Sequence, residues 1–177
     1  MTAIDTNIAD DIQAIKALIQ AFFDSINAAD TKALASHFFP SAGLTIIRQD
    51  PPLDPETSSD AAGTNQDAKL TVVIRTTIEQ FVKLIDDGQK RRDGQPPGPV
   101  IHEWPELDIT EIKIDALFAV AWSPFKVTFD GTLHHYGKMV FTLGKTGSDS
   151  KEWKVEGLTQ DYRRAPGWPE SHDSAFV

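Results

Sequence analysis

The chain has 177 residues, enough for one domain with a sizeable core, and its 26 acidic against 17 basic residues give a formal net charge of −9. That balance argues against a phosphate-backbone partner, which needs a basic stripe, so no nucleic acid is expected; the one basic cluster, Lys90-Arg91-Arg92, reads as a solvated loop. The absence of cysteine excludes disulfides, thiol nucleophiles and zinc–thiolate sites.

The first residues, Met1-Thr2-Ala3-Ile4-Asp5, lack the basic and apolar regions of a signal peptide. No apolar run approaches the roughly 18 residues of a membrane span, so a cytoplasmic protein with no membrane partner is the expectation. Ile12, Ile15, Leu18, Ile19, Phe22, Phe23 and Ile26 recur at helical steps and form one apolar stripe. Asp30 is placed to cap a short second helix from Lys32 to Phe38, ended by Pro40, and Gly43–Arg48 has the β-branched content of a strand. Residues 50–69 are too polar and proline-rich to bury much and read as a long loop. A third helix is predicted over Thr77–Asp87 with Gly88 as its terminator, followed by a Gly/Pro-rich linker over 90–99. Val100–Ile114 alternates loosely; Ala116–Phe129 is a long apolar strand in which Pro124 predicts a bulge or an edge, and Asp130-Gly131 signals a hairpin. The domain is expected to span 1–164, with 165–177 a C-terminal extension.

Two alternating runs flank a polar turn near the end. Met139, Phe141, Leu143, Trp153 and Val155 occupy odd positions and Lys138, Thr142, Lys154 and Glu156 even ones, so odd residues face inward. With Leu143 opposite Trp153, Met139 meets Gly157 and His135 meets Asp161, placing an imidazole beside a carboxylate on the buried side. A carboxylate at that position fixes the ring's tautomer and raises its basicity, making a general base. The alternative is that the two groups satisfy each other at a sheet end. Tyr136 points the other way. His102-Glu103 and His134-His135 are each adjacent residues on a strand, which point to opposite faces and cannot bind one ion together, so no metal is expected. No phosphate loop or nucleophile elbow occurs.

The element order, with Trp122-Ser123-Pro124-Phe125, His135-Tyr136-Gly137, Met139-Val140-Phe141 and Trp153-Lys154-Val155, resembles the nuclear transport factor 2-like superfamily, which includes ketosteroid isomerase, scytalone dehydratase and SnoaL-type cyclases. The resemblance implies an α+β fold: three N-terminal helices packed in the concave face of a strongly curved, mixed sheet, a cystatin-like cone with a pocket at one end. It also implies a homodimer through the outer sheet face. Ketosteroid isomerase's oxyanion-binding tyrosine corresponds to Phe22, which cannot donate a hydrogen bond, and its aspartate base falls in Leu44-Thr45-Ile46-Ile47, which has no carboxylate. The resulting expectation is a binder of a small apolar or aromatic molecule. As an enzyme it would be a lyase, isomerase or cyclase without cofactor, using His135 and Asp161 in a pocket lined by Phe22, Trp122, Met139 and Phe141. As a non-enzyme it would be a ligand-binding or assembly protein of the same fold.

Overall fold

A computed structural model describes residues 3–50, 69–92, 94–147, 150 and 152–168, with side chains from Ile8 onward. The expected 50–69 loop lies outside the described residues except at its two ends, as does the expected extension beyond Trp168.

Helix α1 (Ala3–Asn27) presents the predicted stripe, and Ile15, Ile19, Phe22 and Phe23 are buried by it. Helix α2 is shorter than expected, Thr31–Ser36, and starts where the Asp30 carboxylate accepts a hydrogen bond from the Ala33 N–H at 2.9 Å. Strand β1 (Phe38–Asp50) then runs straight through Pro40. Strand β2 (Lys69–Thr77), which fills the unassigned stretch between the expected loop and the expected third helix, pairs antiparallel with β1. Helix α3 (Ile78–Arg92) continues past Gly88 for another turn. An interior glycine costs a helix about 1 kcal/mol; Lys90, Arg91 and Arg92 favour continuation, because a basic last turn complements the helix dipole.

Five strands follow: β3 (Ile101–Pro105), β4 (Glu111–Asp115), β5 (Phe118–Phe129), β6 (Thr132–Lys145) and β7 (Trp153–Arg164). The seven-stranded sheet has the order β2-β1-β7-β6-β5-β3, with β4 also on β5; β1 and β7 are parallel and the other pairs antiparallel. The loose alternation of Val100–Ile114 thus resolves into two short strands sharing one edge of β5, separated by a 3-10 turn at Leu107–Ile109. Pro124 sits opposite that gap: its carbonyl accepts from the Glu106 N–H at 2.8 Å, so its missing N–H also falls on the side where no strand needs it. Asp130 and Gly131, with φ of 49° and 77°, form the two-residue turn between β5 and β6.

The inner face of the sheet closes on α1 through T-shaped aromatic contacts, Phe22 with Phe141 at 5.6 Å and Phe22 with Phe38 at 6.0 Å. Together the three helices and the curved mixed sheet make an α+β cone.

Two β-bulges set which residues enter that cone, and both overturn the simple parity reading. In β7, Leu143 pairs with Val155 but Thr142 pairs with Gly157, so Glu156 is the extra residue and the facing inverts beyond it. Trp153 and Val155 are buried before the bulge; Leu158, Tyr162 and Arg164 are buried after it. In β6, Val127 pairs with His135 and Thr128 with Leu133, which leaves His134 as the extra residue. Gly137 is required between these points: a Cβ there would run into the carbonyl of Asp161, because β7 crosses β6 very closely at the bend.

Candidate active site

A cavity of about 590 Å³ opens between α1, α3 and the inner face of the sheet, within the roughly 300–1,000 Å³ typical of small-molecule sites. Its walls are mostly apolar, with Phe22, Ile46, Phe81, Ile85 and Leu158 among them, and a polar group is built into its interior: Glu103, His134, His135, Gln160 and Tyr162.

Glu103 is held by its backbone. β3 is the last strand of the sheet, and its free edge is blunted by the side chain of Asn27 at the end of α1: Asn27 Nδ2 donates to the Glu103 carbonyl at 2.7 Å, and the Glu103 N–H donates to Asn27 Oδ1 at 2.8 Å. Strand alternation then directs the carboxyl inward with Ile101 and Pro105. It is only 6% exposed and makes no hydrogen bond or ion pair with the described residues. Burial favours the neutral acid and pushes its pKa from the ordinary 4.5 up to about 7.

The two histidines are adjacent in sequence, yet the bulge turns both inward, with His134 1% and His135 3% exposed. This corrects the expectation that neighbouring residues here face opposite ways. Their Nδ1 atoms are 2.8 Å apart, so one ring donates its Nδ1–H and the other accepts on a bare Nδ1. The accepting ring therefore carries its proton on Nε2. Desolvation, followed by the charge of His134, pushes the pKa of His135 down to about 3, so this ring is neutral near pH 7 and is not the basic imidazole that a paired carboxylate would produce. His134 stacks on Phe129 with centroids 4.0 Å apart and is covered by Trp168, whose Nε1 donates to the Leu133 carbonyl at 2.9 Å. Two histidines fall short of a metal ligand set, and among the described residues no three His, Asp or Glu side chains converge.

Asp161 is not beside His135. His135 pairs with Arg164, and Asp161 pairs with Lys138, because the Glu156 bulge has inverted the strand. The Asp161 carboxylate lies on the outer face, where it accepts from Gln49 Nε2 at 2.6 Å and faces Arg163 at 3.8 Å. Arg164, on the inner face, donates to Asp50 Oδ1 at 3.2 Å within an Arg48–Asp50–Arg164 network. Of the expected pocket walls, Phe22 lines the cavity and Met139 and Phe141 are buried in the core beyond it. Trp122 is 47% exposed on the outer face, since the inward residues of β5 are the odd ones from Ala119 to Phe129. Glu103, His134, Gln160 and Tyr162 are the site members the sequence reading passed over. The signal for Glu103 was the alternation of Ile101, Glu103 and Pro105; the signal for His134 was hidden, because a bulge leaves no mark on a binary pattern.

No protein-family model and no curated protein matches the sequence. Solved structures do match in shape. An NTF2-like protein with a cystatin-like fold from Novosphingobium aromaticivorans superposes with a TM-score of 0.59 at 13% identity, covering 99% of this chain and 94% of its own. A protein of unknown function with a cystatin-like fold from Nostoc punctiforme gives 0.56 at 12%, covering 96% and 97%. A protein assigned as the β subunit of an aromatic-ring-hydroxylating dioxygenase, also from N. aromaticivorans, gives 0.58 at 12%, covering 85% and 88%. With three helices against a curved seven-stranded mixed sheet, the chain has the cystatin-like cone fold that these solved structures share.

Proposed function

We propose that the cone binds a small, largely apolar molecule and moves a proton on it, as an isomerase, lyase or cyclase does. The observation that carries this reading is the Glu103 carboxyl, buried in the cavity wall without a partner among the described residues and raised to about 7. A carboxyl titrating near neutrality is available both as acid and as base. Ionised, it takes a proton from the carbon beside a carbonyl; His135 and Tyr162, which line the same cavity with their rings 4.8 Å apart, are the groups we assign to hydrogen-bond the oxygen on which charge develops. The apolar walls keep water away and so strengthen each of these interactions. Glu103 takes the proton-transfer role that the sequence reading gave to His135 with Asp161.

The test is deuterium uptake from D2O into a panel of aryl ketones, followed by NMR. The wild type is expected to exchange the α-protons of at least one ketone, with a rate rising through a pKa near 7. Glu103→Gln should lose at least about 100-fold of that rate, the size typical of a lost general base. Exchange that survives in Glu103→Gln removes the mechanism.

A second reading, assembly through the sheet, is supported by the outer-face residues Phe118 and Trp122, 48% and 47% exposed. One of the structural relatives is itself assigned as a subunit of a larger enzyme. Sedimentation of wild type and Trp122→Glu tests it: a dimer that the substitution dissociates is expected, and a wild-type monomer ends it.

A further inference from the structure

The basic triplet of α3 is not used by the proton-transfer chemistry. Lys90 turns away from the cavity, 3.9 Å from Asp87, whereas Arg91 and Arg92 line it, on its exposed lip. The backbone beneath them is fixed: Gln95 closes the end of the helix, its N–H donating to the Arg92 carbonyl at 3.0 Å and its Nε2 to the Arg91 carbonyl at 3.1 Å, and Gln89 Nε2 ties the same turn to the Ala29 carbonyl at 3.2 Å. The chain as a whole carries 26 acidic against 17 basic residues, yet among the described residues the cavity lining holds two arginines and one carboxyl, Glu103, which is buried. Over the described residues, the lining therefore inverts the charge bias of the chain. Complementing the helix dipole explains a basic last turn; it does not explain why two of the three side chains border the opening.

From the placement of Arg91 and Arg92 on the lip of a cavity whose walls are largely apolar we infer that the ligand is an apolar-bodied carboxylate, its hydrocarbon or aromatic part inside and its acid group at the mouth against these guanidinium groups. Arginine suits this role because its planar fork meets both carboxylate oxygens. The inference rests on the reading of the cavity as a ligand site and adds the chemical class of the ligand.

The experiment is calorimetric titration with matched pairs, 2-naphthoate against 2-naphthamide and 4-phenylbutyrate against 4-phenylbutanamide. Each acid is expected to bind about 5- to 10-fold more tightly than its amide at low salt, and the preference should shrink as salt screens the lip. In Arg91→Ala/Arg92→Ala, whose replaced side chains are exposed and whose fold is checked by circular dichroism, acid and amide should bind alike at the affinity of the wild-type amide. Equal affinities in the wild type overturn the carboxylate inference and leave the cavity reading standing. Absence of binding by every acid and every amide overturns both.

Discussion

Glu103 links function to stability in a way a single substitution exposes. Its pKa rises from 4.5 to about 7 on folding because the buried carboxyl resists ionisation. Below pH 4.5 both folded and unfolded chains hold the proton, and the neutral group carries no charge penalty. As pH climbs, the unfolded chain releases its proton first, so stability falls through the window from 4.5 to about 7 and levels off above it. At 1.36 kcal/mol per unit, the accumulated loss is about 3 kcal/mol. Glu103→Gln keeps the shape and removes the titration. Urea unfolding of both proteins should give similar stabilities at about pH 4 and a glutamine variant more stable by about 3 kcal/mol at about pH 8. All other titrating groups cancel in the difference. The same variant should lose proton exchange, so stability and activity move in opposite directions, as expected where a functional group is held in an unfavourable setting. A stability difference that stays flat across this pH range would falsify the buried, partnerless placement of the carboxyl.

His135 has the opposite sign. Its pKa is depressed from 6.5 to about 3, so the unfolded imidazole gains a proton first and stability falls as pH drops through that window, on the order of 5 kcal/mol in full; His135→Gln should flatten the acid limb of the stability–pH curve. Gly137→Ala should destabilise by about 3 kcal/mol or more, because its methyl meets the backbone of β7 rather than a movable side chain; a thermal melt within a degree or two of wild type would refute the close crossing. At the far end of α1, Lys145 Nζ and Asp11 Oδ2 form a 2.8 Å ion pair with both side chains under a tenth exposed, and Trp153 Nε1 donates to Asp11 at 3.0 Å. Lys145→Ala strands the carboxylate and should cost about 3–5 kcal/mol, measured by urea unfolding, while the paired Asp11→Leu/Lys145→Met should recover most of it.

What was legible in the sequence followed from periodicity and turn chemistry. The stripe of α1, the Asp30 cap and the Asp130-Gly131 turn depend on neighbours a few residues away, and each stands where its residues put it. Gly88 failed as a helix terminator because its effect competes with the strong helix formers and dipole-matched charges after it. Strand β2 escaped notice because it is an edge strand, and Leu70 and Val72 stand exposed on it at 69% and 52%. The candidate site was less legible for one physical reason. Strict alternation assigns each residue of a strand to a face only while every residue has a partner, and Glu156 and His134 have none in their ladders.

Those two extra residues are also what makes the site. Without the β6 bulge only one imidazole would face the cavity, and the 2.8 Å contact between the two Nδ1 atoms could not form. Without the β7 bulge Asp161 and Arg163 would point inward in place of Tyr162 and Arg164, carrying a second carboxylate onto the inner face that also bears Glu103. A second acid in that wall would be a like charge for Glu103 to ionise against and would raise its pKa further. The bulge instead leaves Asp161 on the outer face with Gln49 and Arg163. Asp161→Asn should therefore weaken the sheet by no more than about 1 kcal/mol, the worth of one hydrogen bond to a partly exposed charge, and leave the pH profile of proton exchange where it was. A shift of that profile would mean that Asp161 reaches the cavity and that the β7 bulge is misplaced.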